Sequence, residues 1–135
     1  MSEQENTALV QQAYGHFQSG DIPALLDSLS EDVEWTSPEF EEVPVSGTWR
    51  GREGVGEFFR SLSDAQEVRQ LELSDFVAQG DKVVALGHYA WYVKSTGKEW
   101  ESDFVHVLIV RDGKIARFQE YTNTAAYLDA FHDEG

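Results

Sequence analysis

Two histidines and one glutamate interrupt the most apolar part of this chain. His106 lies in FVHVLIV, Glu120 in ARFQEYT and His88 in ALGHYAW. An imidazole exchanges protons near neutral pH, and a carboxylate beside it can act as a base or fix the ring's orientation. Set among Phe, Leu, Val and Trp, such groups point to proton transfer on a small, mostly apolar molecule carrying one or two polar atoms. The three residue types also suit Zn²⁺ or Fe²⁺. No two of them stand at a short ligand spacing, so no metal is expected. The competing reading is a buried polar network that satisfies itself, the imidazoles bonded to each other or to Glu120, and Glu120 paired with His106 or Arg117. His16 reads as outward-facing on a helix, and His132 lies in an acidic tail.

These residues need long strands to carry them. Residues 101–123 read as a hairpin turning at Arg111-Asp112-Gly113-Lys114, because Gly accepts the positive φ of a tight turn. Alternation sets Phe104, His106, Leu108 and Val110 on one face and Val105, Val107 and Ile109 on the other; both faces are apolar, so cover on both sides is expected. Upstream, residues 5–19 carry Leu9, Val10, Ala13, Tyr14 and Phe17 at helical spacing, with Asn6 or Thr7 as cap. Asp21 caps a short second helix with Pro23 in its first turn, and Asp32 to Thr36 forms a brief strand. Residues 38–51 read as loop, and a third helix follows with Val55, Phe58, Phe59 and Leu62 on one side. From Gln66 the period falls to two, with a bulge between Val68 and Leu71. Gly80-Asp81 and Ser95–Lys98 bound the strand KVVALGHYAWYV, and Thr124 caps a closing helix. Helices first, then four long antiparallel strands in a meander, mean an α+β fold with helices covering one face of a strongly curved sheet. No linker or repeat divides it, so residues 1–135 are expected to form one domain.

The composition excludes several classes. Twenty-five acids against ten bases leave a formal charge of −15, which repels phosphate backbones and anionic lipid; neither nucleic acid nor membrane is expected as a partner. The absence of Cys excludes disulfides, thiolate catalysis and Cys-ligated metals. No Gly-rich phosphate loop or nucleophile elbow is visible, so no cofactor is expected. No signal peptide or membrane-length apolar run is visible, and a cytoplasmic protein is expected.

Four phrases in order, YGHFQSGDIPALLDSLSEDVEW (14–35), GTWRGREGVGEFF (47–59), VAQGDKVVALG (77–87) and FVHVLIVRDGKIARFQEYTNTAAYLDAF (104–131), span nearly the whole chain. Together they resemble the SnoaL-like branch of the nuclear transport factor 2-like fold, which includes ketosteroid isomerase, polyketide cyclases and limonene-epoxide hydrolase. The resemblance implies an alpha+beta cone, a cystatin-like roll, whose sheet and helices enclose a deep pocket, commonly in a homodimer. The isomerase's general base, an Asp before a Pro, falls on Ser37; its helical Tyr falls on Ala13, beside Tyr14; its second oxyanion donor falls on His106. The hydrolase's Asp–Arg–Asp set falls on Ala90, His88 and Asn123, and Glu120 is the carboxylate nearest the cyclase Asp. Of the isomerase's three places only His106 keeps a polar group able to donate, the hydrolase's mechanism is absent as written, and the cyclase match is not residue-exact. Fold alone leaves the chemistry open.

The mapped register places Val84, Leu86, His88 and Ala90, then Phe104, His106 and Leu108, then Phe118 and Glu120 on the concave side. His88, His106 and Glu120 are thus the candidate catalytic set, with His88 or Glu120 as base and His106 donating to a developing oxyanion. Tyr14, Phe17, Trp35, Ser37, Phe58, Phe104, Phe118 and Asn123 are the candidate ligand contacts, Asn123 also reading as a cap or turn residue. Two functions stand side by side. One is cofactor-independent proton transfer on a small carbonyl compound by an isomerase, cyclase or dehydratase; the other is a non-catalytic domain that binds a small apolar molecule or dimerises.

Overall fold

The computed structural model describes residues 2–132. The helices are α1 (Glu3–Gln18), α2 (Ile22–Asp27), α3 (Gly51–Ala65) and α4 (Thr124–Phe131). The strands are β1 (Leu29–Ser37), β2 (Gly47–Arg50), β3 (Gln66–Gln79), β4 (Lys82–Val93), β5 (Glu99–Arg111) and β6 (Lys114–Thr122). They form one sheet in the order β2-β1-β6-β5-β4-β3. The α+β class and the curved sheet are as the sequence predicts, and the sheet is unclosed.

The sheet is mixed rather than wholly antiparallel. β1 is longer than its alternation suggests and runs parallel to β6, Trp35 beside Phe118. Those two rings stack at 3.9 Å, so aromatic packing ties the helical first third of the chain to its last strand. Part of the stretch read as loop is the edge strand β2, which pairs with β1 through Trp35 and Trp49 and through the Thr36–Thr48 hydroxyl bond.

Strand length dictates the curvature. β3 has 14 residues, roughly 46 Å at the usual rise, against a diameter of roughly 35–40 Å for a compact chain this size. It must therefore wrap, and its register slips twice, between Val68 and Gln70 as the alternation predicts and again between Leu73 and Asp75. At the second slip β3 meets Gly87, where a Cβ would lie 2.3 Å from the Glu72 carbonyl oxygen and 2.6 Å from Phe104 Cζ. Only glycine lets the Phe104 ring lie on the β4 backbone.

The turns and caps follow local chemistry. Asp112 and Gly113 both have positive φ, 52° and 76°, the signature of the two-residue hairpin turn that Asp-Gly favours. α1 begins earlier than its apolar pattern: Ser2 and Glu5 form a reciprocal capping box, whereas Asn6 and Thr7 lie inside the helix. α1 and α3 lie over the sheet's inner face, and their buried sides meet Val33, Trp35, Ala85 and Tyr89 in one core.

Candidate functional site

A partly open cavity of about 90 Å³ lies between the helices and the sheet. α1 supplies Tyr14 and Phe17, α3 supplies Phe58 and Phe59, and β1 supplies Trp35 and Ser37. From the sheet come Tyr89, His106, Phe118 and Glu120. The walls are almost wholly apolar, and the polar groups gather at one place.

That place is a four-residue chain of hydrogen bonds. His106 and Glu120 are directly opposed on β5 and β6, and His106 Nε2 lies 3.0 Å from Glu120 Oε2. Tyr89, one strand further, donates its hydroxyl to the same carboxylate oxygen at 3.0 Å. Tyr14 reaches down from α1, its hydroxyl 2.5 Å from His106 Nδ1. A carboxylate accepts, so Nε2 carries a hydrogen toward Glu120, while Nδ1 and the Tyr14 hydroxyl share the other bond, whose donor is set by the ring's tautomer. Both imidazole nitrogens are thus engaged.

Packing holds the chain in position. His106 is 6% exposed, with Phe104 stacked on it at 4.3 Å and Phe118 tilted against it at 4.6 Å. Its cross-strand neighbour on β4 is Ala85, small enough to leave the ring room. Burial pushes the Tyr14 and Tyr89 phenols far above their ordinary range, and the Glu120 charge adds to it. Both therefore remain protonated donors.

Of the expected catalytic set, His106 and Glu120 come together and His88 does not. Six residues separate the paired Tyr92 and Glu99, and this register sets odd-numbered β4 residues beside even-numbered β5 residues. Val83, Ala85, Tyr89 and Trp91 consequently face inward and are buried, whereas Val84, Leu86, His88 and Ala90 face outward. His88 is one-third exposed, with Nδ1 2.9 Å from Asp103 and Nε2 3.7 Å from Glu101. Tyr89, its neighbour in sequence, takes the inward place. The β4–β5 connection length was the signal for Tyr89, since its parity decides which residues share a face.

Among the expected ligand contacts, Tyr14, Phe17, Trp35, Ser37, Phe58 and Phe118 line the cavity. Phe104 does not; it is spent on Gly87 and the back of His106. Asn123 does not either. It is the N-cap of α4, in place of Thr124, and its Oδ1 accepts from the Ala126 amide at 3.1 Å. Among the described residues no cluster of three or more His, Asp or Glu side chains is arranged to hold a metal ion. Among the described residues no helix is long and apolar enough to cross a membrane.

Comparison with known proteins places this geometry in a family. The SnoaL-like domain matches residues 10–118. No curated protein matches at a significant level. Among solved structures, an NTF2-like protein from Burkholderia xenovorans LB400 is 34% identical, with 98% of this chain and 99% of that one covered and a TM-score of 0.89. An NTF2-like protein of unknown function from Burkholderia pseudomallei K96243 is 28% identical over 97% of this chain and 98% of that one, TM-score 0.87. TerC, co-crystallised with polyporic acid, is 30% identical over 94% of this chain and 98% of its own, TM-score 0.85. By sequence and by fold, the chain belongs to the SnoaL-like domain family of the nuclear transport factor 2-like superfamily.

Proposed function

We propose that the cavity binds a small, mostly apolar carbonyl compound and that Glu120 moves a proton on it without a cofactor or a metal, in an isomerase, cyclase or dehydratase reaction. The observation that carries this reading is the Tyr14–His106–Glu120–Tyr89 chain ending in an apolar cavity. His106 and Tyr89 both bond Oε2, so Oε1 is the oxygen available to a substrate. It would take a proton from the carbon beside the carbonyl and return it elsewhere on the substrate. With both nitrogens engaged, His106 is the positioning residue for Glu120, in place of the direct oxyanion donor that the sequence suggests. TerC, 30% identical and co-crystallised with polyporic acid, supports a small-molecule role for the shared fold.

The alternative, a non-catalytic binding domain, has its own observation: the Tyr–His–Glu–Tyr chain satisfies its donors internally, as purely structural networks do. Turnover separates the two. A panel of β,γ-unsaturated ketones and aldol-type compounds is assayed with the native chain, Glu120→Gln and His106→Ala. The enzyme reading expects a rate above buffer that falls about 10²–10⁴-fold in Glu120→Gln. Binding of polyporic acid with no turnover of any compound refutes it in favour of the binding domain.

A homodimer in the cytoplasm completes the proposal. The outer sheet face carries half-buried Val84, Leu86, Val105, Val107 and Ile109 with Tyr121 57% exposed, a surface suited to a second copy. The cysteine-free composition fits a reducing compartment. Sedimentation equilibrium tests the dimer, and a monomer at micromolar concentration refutes it.

A further inference from the structure

Ser37 ends β1 on the cavity wall and is only 4% exposed. A hydroxyl this deep ordinarily has a partner. Ser37 Oγ has none among the described residues and, unlike the Ser30 hydroxyl, it is not sealed off by packed atoms. The parallel register pairs Thr36 with Gln119, so the next residues along, Ser37 and Glu120, stand side by side, and both line the cavity. No hydrogen bond joins them. Both therefore keep bonding capacity for a third group in the cavity.

The donors already in use say which group. The Tyr14 hydroxyl is bonded to His106 Nδ1, while His106 Nε2 and Tyr89 O–H are bonded to Glu120 Oε2. The Trp35 indole N–H also lacks a partner but is shielded by packed atoms, which leaves the carboxylate's other oxygen, which only accepts, and the Ser37 hydroxyl, which both donates and accepts, on two neighbouring cavity-lining residues. A hydrocarbon satisfies neither, and a ketone or ether oxygen satisfies only Ser37. A ligand O–H satisfies both: its hydrogen goes to Glu120 and its oxygen receives the Ser37 hydrogen. Building on the small-molecule reading above, we propose that Ser37 and Glu120 together form a recognition site for a ligand hydroxyl. The preferred substrates are then enols, phenols or β-hydroxy carbonyl compounds rather than plain ketones.

Phenol and toluene differ by a hydroxyl in place of a methyl group and are otherwise close in shape. A purely apolar cavity prefers toluene; the proposed site reverses that order. Isothermal titration calorimetry of both probes is run on the native chain, Ser37→Ala and Ser37→Thr, with far-UV circular dichroism confirming the fold of each. The native chain is expected to bind phenol at least about tenfold more tightly than toluene. Ser37→Ala loses about tenfold for phenol and stays within about twofold for toluene, and Ser37→Thr, which keeps a hydroxyl, retains the preference. Toluene binding as tightly as phenol in the native chain, or an unchanged phenol preference in Ser37→Ala, overturns the inference and leaves the small-molecule reading standing. Failure of the native chain to bind either ring overturns both.

Discussion

Replacing Gly87 with Ala tests the packing on which the site depends. The added Cβ would sit 2.3 Å from Glu72 O and 2.6 and 2.9 Å from Phe104 Cζ and Cε2. Ordinary contact needs roughly 3.4 Å or more, so about 1 Å of overlap must be relieved. The Glu72 oxygen belongs to the β3 backbone and cannot swing aside, and Phe104 is 2% exposed with His106 stacked on its ring. Overpacking of this kind costs about 1–3 kcal/mol and more where backbone must move; with a backbone oxygen and a buried ring both in the way, about 3 kcal/mol is expected. Unfolding entropy for a chain this long makes that roughly 10 °C of melting temperature. Gly15→Ala is the control: nothing lies within 4 Å of its would-be Cβ, it is exposed on α1, and Ala there should stabilise by about 0.5–1 kcal/mol. Differential scanning calorimetry on both variants decides the matter. A Gly87→Ala chain melting within about 2 °C of the native one refutes the close approach of Phe104, and with it the account of why His106 is held where it is.

Tyr14→Phe removes the hydroxyl bonded to His106 Nδ1 and leaves a buried ring nitrogen unpaired; urea denaturation should show a loss of about 1–3 kcal/mol. Asn123→Ala should cost about 1 kcal/mol in the same assay, as a lost cap, with no change in ligand binding. Asp103 beside His88 raises the imidazole above its usual 6.5, so the pair stabilises the fold below that pH and the benefit fades as pH rises through the folded value. The native chain should therefore exceed His88→Ala in stability by more at pH 5.5 than at pH 8.5, and an equal gap at both refutes the pairing. Burial, reinforced by the Glu120 charge, raises the Tyr14, Tyr89 and Tyr127 phenols above their usual 10. Their neutral forms stabilise the fold below pH 10, and this is lost above it, so alkaline titration at 295 nm should show three of the five tyrosines ionising only with unfolding.

The sequence announced its hairpins and helices because they rest on local chemistry. Asp112-Gly113 sets one turn, and the spacing of Tyr14 and Phe17 sets the inner face of α1. The aromatic wall residues were equally legible, since each belongs to a well-patterned element, whereas Ser37, one residue past the strand read from alternation, came from the resemblance. β2 was not, because a four-residue edge strand takes its shape from pairing with β1 rather than from its own residues. Asn123 looked like a site residue through the resemblance, yet its local role as a cap already accounts for its side chain.

β4 shows a more general limit. KVVALGHYAWYV is apolar at almost every position, so hydrophobicity does not distinguish its two faces. Ranked by bulk, Val84 and Leu86 look more like core than Ala85 and Gly87. The structure reverses that order because inward volume is shared across strands: Gly87 pairs with Phe104 and Ala85 with His106, small residues opposite large rings. The catalytic candidates change with the face, an exposed His88 giving way to a buried Tyr89. A second imidazole in the cavity would have offered a mobile proton near neutral pH; a phenol held protonated by burial and by the Glu120 charge offers a fixed donor instead. On the proposed reading the base is Glu120, braced by His106 and Tyr89 on one oxygen and acting through the other.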